Sequence, residues 1–345
     1  MDFGIFTFGE LTHGPDGAAL SPRQRLEELV QLAKIADQAG ISFLGLGEHH
    51  RKDFAISAPE VVLAAIARET TTLRLATAVT VLSTQDPVRL FEQFATLDLL
   101  SGGRAEIIAG RGAFTESYPL FGYDTADYDG LFEEKLQLLL AAREQENLSW
   151  NGTHHHSIRG MDVVPRPLQE KLPVWVGVGG TPSSFERAGR LGLPLYLALL
   201  SGPQHFTRHI EYYRESAAAH GHDPATLPVG TGGHFFVAPT SQQARDTFYP
   251  YYRAYFEQNM PRPAGHFPRE TFEAWAGPGG GLLAGSPQEV IDKIMEQYQL
   301  FGHDRYMAQV GLGGLPFADT ARSIELLATE IMPVIQRETH PAKRP

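Results

Sequence analysis

The sequence predicts an α/β fold, a (β/α)8 TIM barrel with insertions after strands 4 and 7, on three observations. Eight short apolar runs, each followed by a helical stretch, fit within 345 residues, the count such a barrel needs. The runs are apolar without strict alternation, as parallel strands buried on both faces are. The first run is followed by no Gly-x-Gly-x-x-Gly, the phosphate fingerprint that a doubly wound sheet wants there. No linker divides the chain, so residues 1–345 are expected as a single barrel domain.

The first strand is FGIFTF (3–8). Its helix is capped by Ser21, opened by Pro22, lined by Leu26, Leu29, Val30, Ala33 and Ala36, and ended by Gly40. ISFLGL (41–46) precedes a helix that starts near Pro59 and carries Val62, Ile66 and Ala67. LRLATAVTVL (73–82) precedes a helix capped by Asp86, opened by Pro87 and closed by Gly102 and Gly103. AEIIAG (105–110) precedes a helix over about 131–146, and then a polar, hairpin-like insertion, 147–166. PVWVGVGG (173–180) leads to a helix over 182–191, and LPLYLALL (193–200) to one over 203–220. HFFVA (234–238) leads to a helix over 242–259 and a Pro/Gly-rich segment, 261–285, expected to be a mobile loop. A helix opens at Ser286-Pro287, RYMAQVGLG (305–313) is the eighth strand, and the last helix covers 319–335.

Composition removes several classes of function. Without cysteine there is no disulfide, thiolate metal site or cysteine nucleophile. A net charge of −11 with no Lys/Arg stripe disfavours nucleic acid. No apolar run reaches the roughly 18 residues of a membrane span, and MDFGIFTFGE has no basic n-region, so neither membrane nor signal peptide is expected. A cytoplasmic location fits. No His-Glu-x-x-His and no second histidine pair at ligand spacing occurs, so no metal is expected. His154, His155 and His156 are adjacent in the hairpin and read as solvated.

In such a barrel the chemistry collects at the C-terminal ends of the strands. After strand 2 come Glu48, His49 and His50. A histidine titrates near neutral pH and suits acid/base work or a polar clamp, although two ordinary rim histidines would look the same. After strand 5, Gly179 and Gly180 let the backbone approach a ligand. Thr181 sits at an N-cap with Pro182 behind it, and Ser184 adds a hydroxyl. A helix N-terminus attracts anions, and Arg111, at the end of neighbouring strand 4, can grip the same anion. A capped helix beside a surface ion pair is the plainer alternative. Ala78 and Val79 are small residues inside strand 3, which also suits simple core packing.

Three segments carry a resemblance. EHHRKDFAISAPEVVLAAIA, LATAVTVLSTQDPVRLFEQFATLDLLSGGRAEIIAGRG and VGVGGTPSSFERAGRLGLPL resemble the bacterial-luciferase-like flavin-dependent monooxygenases, in the same order along nearly the whole chain, as does the ending SIELLATEIMPVI. The resemblance implies a (β/α)8 barrel that binds FMN and uses reduced flavin with O₂. Arg111, Gly180, Thr181 and Ser184 fall on the phosphate site. Ala78-Val79 falls on a non-prolyl cis peptide that supports the flavin ring. His49 falls on the histidine implicated in catalysis, with His50 and Glu48 orienting it. Two positions depart from luciferase: its reactive cysteine is Gly110 here, and its acidic phosphate-pocket residue is Gly180.

The resemblance thus implies an FMN-dependent monooxygenase that oxygenates a small organic substrate. Phe6, Phe8, Phe54, Phe114 and Tyr118 near the rim suggest that the substrate is apolar. A separate NAD(P)H:flavin reductase is the expected partner, and a homodimer is expected from relatives. The alternatives are a deazaflavin-dependent hydride-transfer enzyme on the same fold, and a flavin-binding protein without turnover.

Overall fold

A computed structural model of the protein describes residues 1–11, 20–112, 114–259 and 267–339. The eight barrel strands are β1 (Asp2–Thr7), β2 (Phe43–Leu46), β3 (Arg74–Thr77), β4 (Ala105–Gly110), β5 (Val174–Val178), β6 (Leu195–Ala198), β7 (Val229–Val237) and β8 (Arg305–Gln309). Each pairs in parallel with its neighbours, and β8 pairs back onto β1 from Asp2↔Arg305 to Phe6↔Gln309, so the sheet closes. Closure leaves the barrel itself without an edge. Among the described residues, no helix is long and apolar enough to cross a membrane.

Local signals set the element ends. Ser21 accepts from the Gln24 N–H in a reciprocal capping box before the helix Pro22–Gln38. Asp86 accepts from the N–H groups of Val88 and Arg89, and Gly102 closes the helix Pro87–Ser101 at φ 72°. The large core lies between barrel and helices. A second cluster, including Phe6, Phe43, Ala76, Ile108, Trp175, Tyr196 and Met307, fills the barrel interior.

Four segments differ from the expectation. The third run is not one strand: a cis peptide at Ala78-Val79 separates β3 from a short strand, Thr80–Val81, that pairs with β4. Strand β7 starts at Val229, five residues earlier than its apolar run, because Gly230, Gly232 and Gly233 belong to it. A Cβ on Gly232 would stand 2.1 Å from the Tyr196 hydroxyl, so the strand needs glycine there. The segment read as a loop over 261–285 holds the helix Arg269–Ala276 and the strand Leu283–Gly285, which pairs with β7; its residues 261–266 lie outside the described residues. The last helix is interrupted by a wider turn over Leu327–Ile331. The insertion after strand 4 agrees with its expectation and is an antiparallel hairpin, Asn147–Trp150 with Ile158–Asp162.

Candidate active site

A cavity of about 430 Å³ opens at the C-terminal end of the strands, within the roughly 300–1,000 Å³ usual for ligand pockets. Alternation along the strands explains it. Inward positions near the strand ends carry Gly110, Gly177, Ala198 and Gly232, whose small size leaves space. Val79 fills part of it: a Cβ on Gly110 or Gly177 would come within 2.5 or 2.7 Å of the Val79 side chain. Those two glycines therefore let Val79 lie against β4 and β5, and the Ala78-Val79 segment becomes cavity wall.

The ends of β4 and β5 meet. Arg111 Nη2 donates to Ser184 Oγ at 2.9 Å, and Nη1 donates to Asp129 Oδ1 at 2.6 Å. The guanidinium also stacks on the Tyr128 ring, 4.6 Å from its centroid. Thr181 is the N-cap of the helix Pro182–Arg190, but its side chain makes no capping bond. A Cβ on Gly179 would meet nothing within 4 Å, and Gly180 turns at φ 125°, where other residues are strained. Arg111, Gly179, Thr181 and Ser184 line the cavity; Gly180 does not.

The end of β2 is arranged differently from its sequence order. Glu48 is buried, and both its oxygens are used. Oε2 accepts from the Val81 N–H at 2.9 Å; Oε1 accepts from Gln85 Nε2 at 3.1 Å and lies 2.9 Å from His50 Nε2. Glu48 thus ties β2 to the backbone just beyond the cis bond. His49 lines the cavity, with its ring centroid 4.9 Å from Phe8, 4.3 Å from Phe54 and 5.3 Å from Phe114. Its Nδ1 lies 3.4 Å from Glu116 Oε1. Burial pushes the Glu116 carboxyl up, but the His49 hydrogen bond, its own backbone N–H and the His49 charge outweigh this and hold it below the usual range. His50 turns away to Glu48 and the Phe121 ring and does not line the cavity. Beneath this pair, burial pushes Glu60 up to about 7, with the negative Glu48 adding to the rise.

Sequence reasoning missed Glu116, Asp129, Tyr196, His234 and Gln309. Glu116 and Asp129 belong to the connection after β4, where no spacing relates them to His49 or Arg111. The other three face the cavity from β6, β7 and β8. A signal existed for two of them: His234 and Gln309 are polar residues inside apolar runs. Among the described residues, no group of three or more His, Asp or Glu side chains converges as a metal site.

Comparison with known proteins agrees with this geometry. The family model for luciferase-like monooxygenases matches residues 1–305. The oxygenase component of a flavin-dependent trigonelline monooxygenase from Acinetobacter baylyi is 27% identical over 338 residues, 90% of each chain. The alkanal monooxygenase alpha chain of Photorhabdus luminescens is 30% identical over 227 residues, 65% of this chain and 60% of that one. The crystal structure of monooxygenase RslO1 from Streptomyces bottropensis superposes with a TM-score of 0.85 at 26% identity, covering 97% of this chain and all of that one. With a closed barrel, a glycine-walled cavity at its C-terminal rim and a family match over most of its length, the chain belongs to the luciferase-like monooxygenases, a family of flavin-dependent oxidoreductases.

Proposed function

We propose that the protein is an FMN-dependent monooxygenase that oxygenates a small, mostly apolar organic substrate, with reduced flavin delivered by a separate NAD(P)H:flavin reductase. The observation that carries this reading is the 2.9 Å bond between Arg111 and Ser184, which draws a cation and a hydroxyl from two adjacent strand ends to one point of the rim. Beside them stand the uncommitted Thr181 hydroxyl and a helix N-terminus. A cation, two hydroxyls and a helix dipole suit a dianionic phosphate. Arg111, Thr181 and Ser184 would hold that phosphate, and the Ala78-Val79 segment, backed by Gly110 and Gly177, would support the flavin ring. Bound reduced flavin supplies the electrons that activate O₂, so that one oxygen atom enters the substrate and the other leaves as water.

The chain's own residues position and exclude. The ionised Glu116 accepts from the His49 Nδ1–H, which leaves Nε2 as the ring nitrogen open to proton exchange with a ligand. Phe8, Phe54 and Phe114 hold that ring and keep water from it. Glu48 acts at one remove, by fixing the Val81 N–H and thereby the segment after Val79. His50 braces Glu48.

Titration with FMN, followed by O₂ consumption and product analysis on apolar ring and chain substrates, tests the proposal. FMN is expected to bind more tightly than a deazaflavin; the reverse preference would convert the reading to hydride transfer. His49→Ala is expected to keep FMN affinity and to lower oxygenation about 100-fold. Unchanged turnover would leave His49 with a packing role only.

A further inference from the structure

We propose that the tip of the hairpin insertion is a pH-sensitive latch. The His155 imidazolium closes the tip onto the helices Pro87–Ser101 and Tyr128–Glu144, and loss of one ring proton loosens it. The latch is independent of which ligand fills the cavity.

Three adjacent histidines on a polar hairpin read as solvated, yet the His155 side chain is only 7% exposed. Its ring bridges two acceptors. Nδ1 lies 2.9 Å from the His156 carbonyl oxygen, and Nε2 lies 3.1 Å from Asp86 Oδ2. A carbonyl and a carboxylate only accept, and a neutral imidazole has one N–H. A neutral His155 would therefore turn a lone pair towards one of its partners. With a proton on each nitrogen, the ring donates to both. The His156 ring stacks on it, with the centroids 4.2 Å apart. Among the described residues, no group of three or more His, Asp or Glu side chains converges, so a metal ion does not account for the cluster.

The rest of the tip is fastened to the second helix. The backbone N–H groups of Thr153, His154 and His155 all donate to the Glu134 carboxylate, at 2.7–2.9 Å. A Cβ on Gly130 would stand 2.7 Å from His154 Nε2, so the helix presents bare backbone where that ring lies. Both helices serve the cavity. Gln85, next to Asp86, donates to Glu48. Tyr128 and Asp129, in the first turn of the second helix, hold Arg111. The latch thus ties a surface insertion to two sides of the site.

The charges around the His155 ring set the pH range. Burial pushes Asp86 up, but the Arg89 N–H, the His155 bond and charge, and the Val88 N–H outweigh this and hold it below the usual range. Burial likewise pushes Glu134 up, and the three N–H groups and the His154 charge hold it down. Lys135, lowered by burial to about 8, donates to the Ser83 and Gln85 carbonyls. Burial pushes Tyr123 up, and Arg89 pairs with Glu92. From about pH 5.5 to about pH 7.5 both carboxylates keep their charge, and histidine is the residue type that titrates. The latch holds two ring bonds at the acid end and one at the other, so it weakens as pH rises.

Hydrogen exchange of the full-length protein over residues 151–157, corrected for the intrinsic rate, tests the latch. Wild-type protection is expected to fall about three- to tenfold between those two pH values. His155→Gln should give the low value at both. Asp86→Asn, which keeps a helix-capping side chain, should flatten the fall in the same way. Nitrogen NMR of the labelled His155 ring should find both nitrogens protonated at the acid end. Wild-type protection that is equal at both pH values, or that rises with pH, overturns the latch. So does a ring with one proton at the acid end. A fall of the same size in His155→Gln overturns it too, because His154 or His156 would then be the sensor.

Discussion

At the N-terminal end of the barrel strands, the inward positions carry Phe43, Arg74, Glu106, Trp175 and Arg305. Two to four residues further along β2 to β5 they carry Gly45, Ala78, Gly110 and Gly179. The first set closes the barrel. Arg305 Nη1 donates to Glu106 Oε2 at 2.9 Å, and its guanidinium lies between the Phe43 and Trp175 rings, 3.3 and 4.1 Å from their centroids. Arg74 bonds the same carboxylate from the other side. Of the second set, Ala78, Gly110 and Gly179 line the 430 Å³ cavity. One backbone and one alternation thus give a sealed floor and an open site, and the size of the inward side chain decides which. The difference teaches that here stability and function are assigned to opposite ends of the same strands.

The contrast can be broken most forcefully at the floor. Glu106→Ala leaves the buried Arg305 and the part-exposed Arg74 without their carboxylate and should cost about 3–5 kcal/mol of stability, read by chemical denaturation. A cost below about 1 kcal/mol would show that the aromatic sandwich alone closes the barrel. Next comes Glu10, just beyond the open end of β1, whose carboxyl is raised from 4.5 to about 7, chiefly by burial. The unfolded chain releases this proton first, so the contribution to stability is full below pH 4.5 and is lost as pH rises through about 7. Glu10→Gln should remove a fall on the order of 3 kcal/mol across that window, measured as the difference between variant and wild type. Taking the difference cancels the opposite slope from His234 and His303, which burial lowers to about 4 and about 3.

Arg111→Ala should weaken FMN binding by about 2–3 kcal/mol while shifting stability by less than about 1 kcal/mol. A large loss of stability would blur the division between the two ends. The smallest effect belongs to Asp129, which pairs with Arg111 from an exposed position and would compete with a bound phosphate. Asp129→Asn should tighten FMN two- to threefold, in keeping with the roughly 0–1 kcal/mol worth of such pairs. Weaker FMN binding in this variant would mean that Asp129 orients Arg111 instead of opposing the ligand.

The sequence carried the fold well because its signals are local. Ser21, Asp86, Pro182 and Ser286 mark helix starts, Gly102 marks an end, and the apolar runs between them are strands. Strand β7 was under-read because Gly230, Gly232 and Gly233 look like a turn until Tyr196 is seen to need the space above them. The meeting of the β4 and β5 ends was legible for a related reason: Gly-Gly-Thr-Pro and Arg-Gly are each compact signals, and the fold sets them side by side. The rest of the site was not. Glu48 meets the Val81 N–H across 33 residues, and His49 meets Glu116 across 67. In strands buried on both faces, no alternation says which residues look inward, so Tyr196, His234 and Gln309 stayed hidden among their neighbours.

The sealed floor makes the cavity a cul-de-sac. Whatever enters by the rim must leave by it, and an occupant seated against the floor is covered by anything that binds above it. The lower of two occupants has to arrive first and depart last, so the sequence of arrivals and departures is dictated by the shape of the blind end and not by relative affinity.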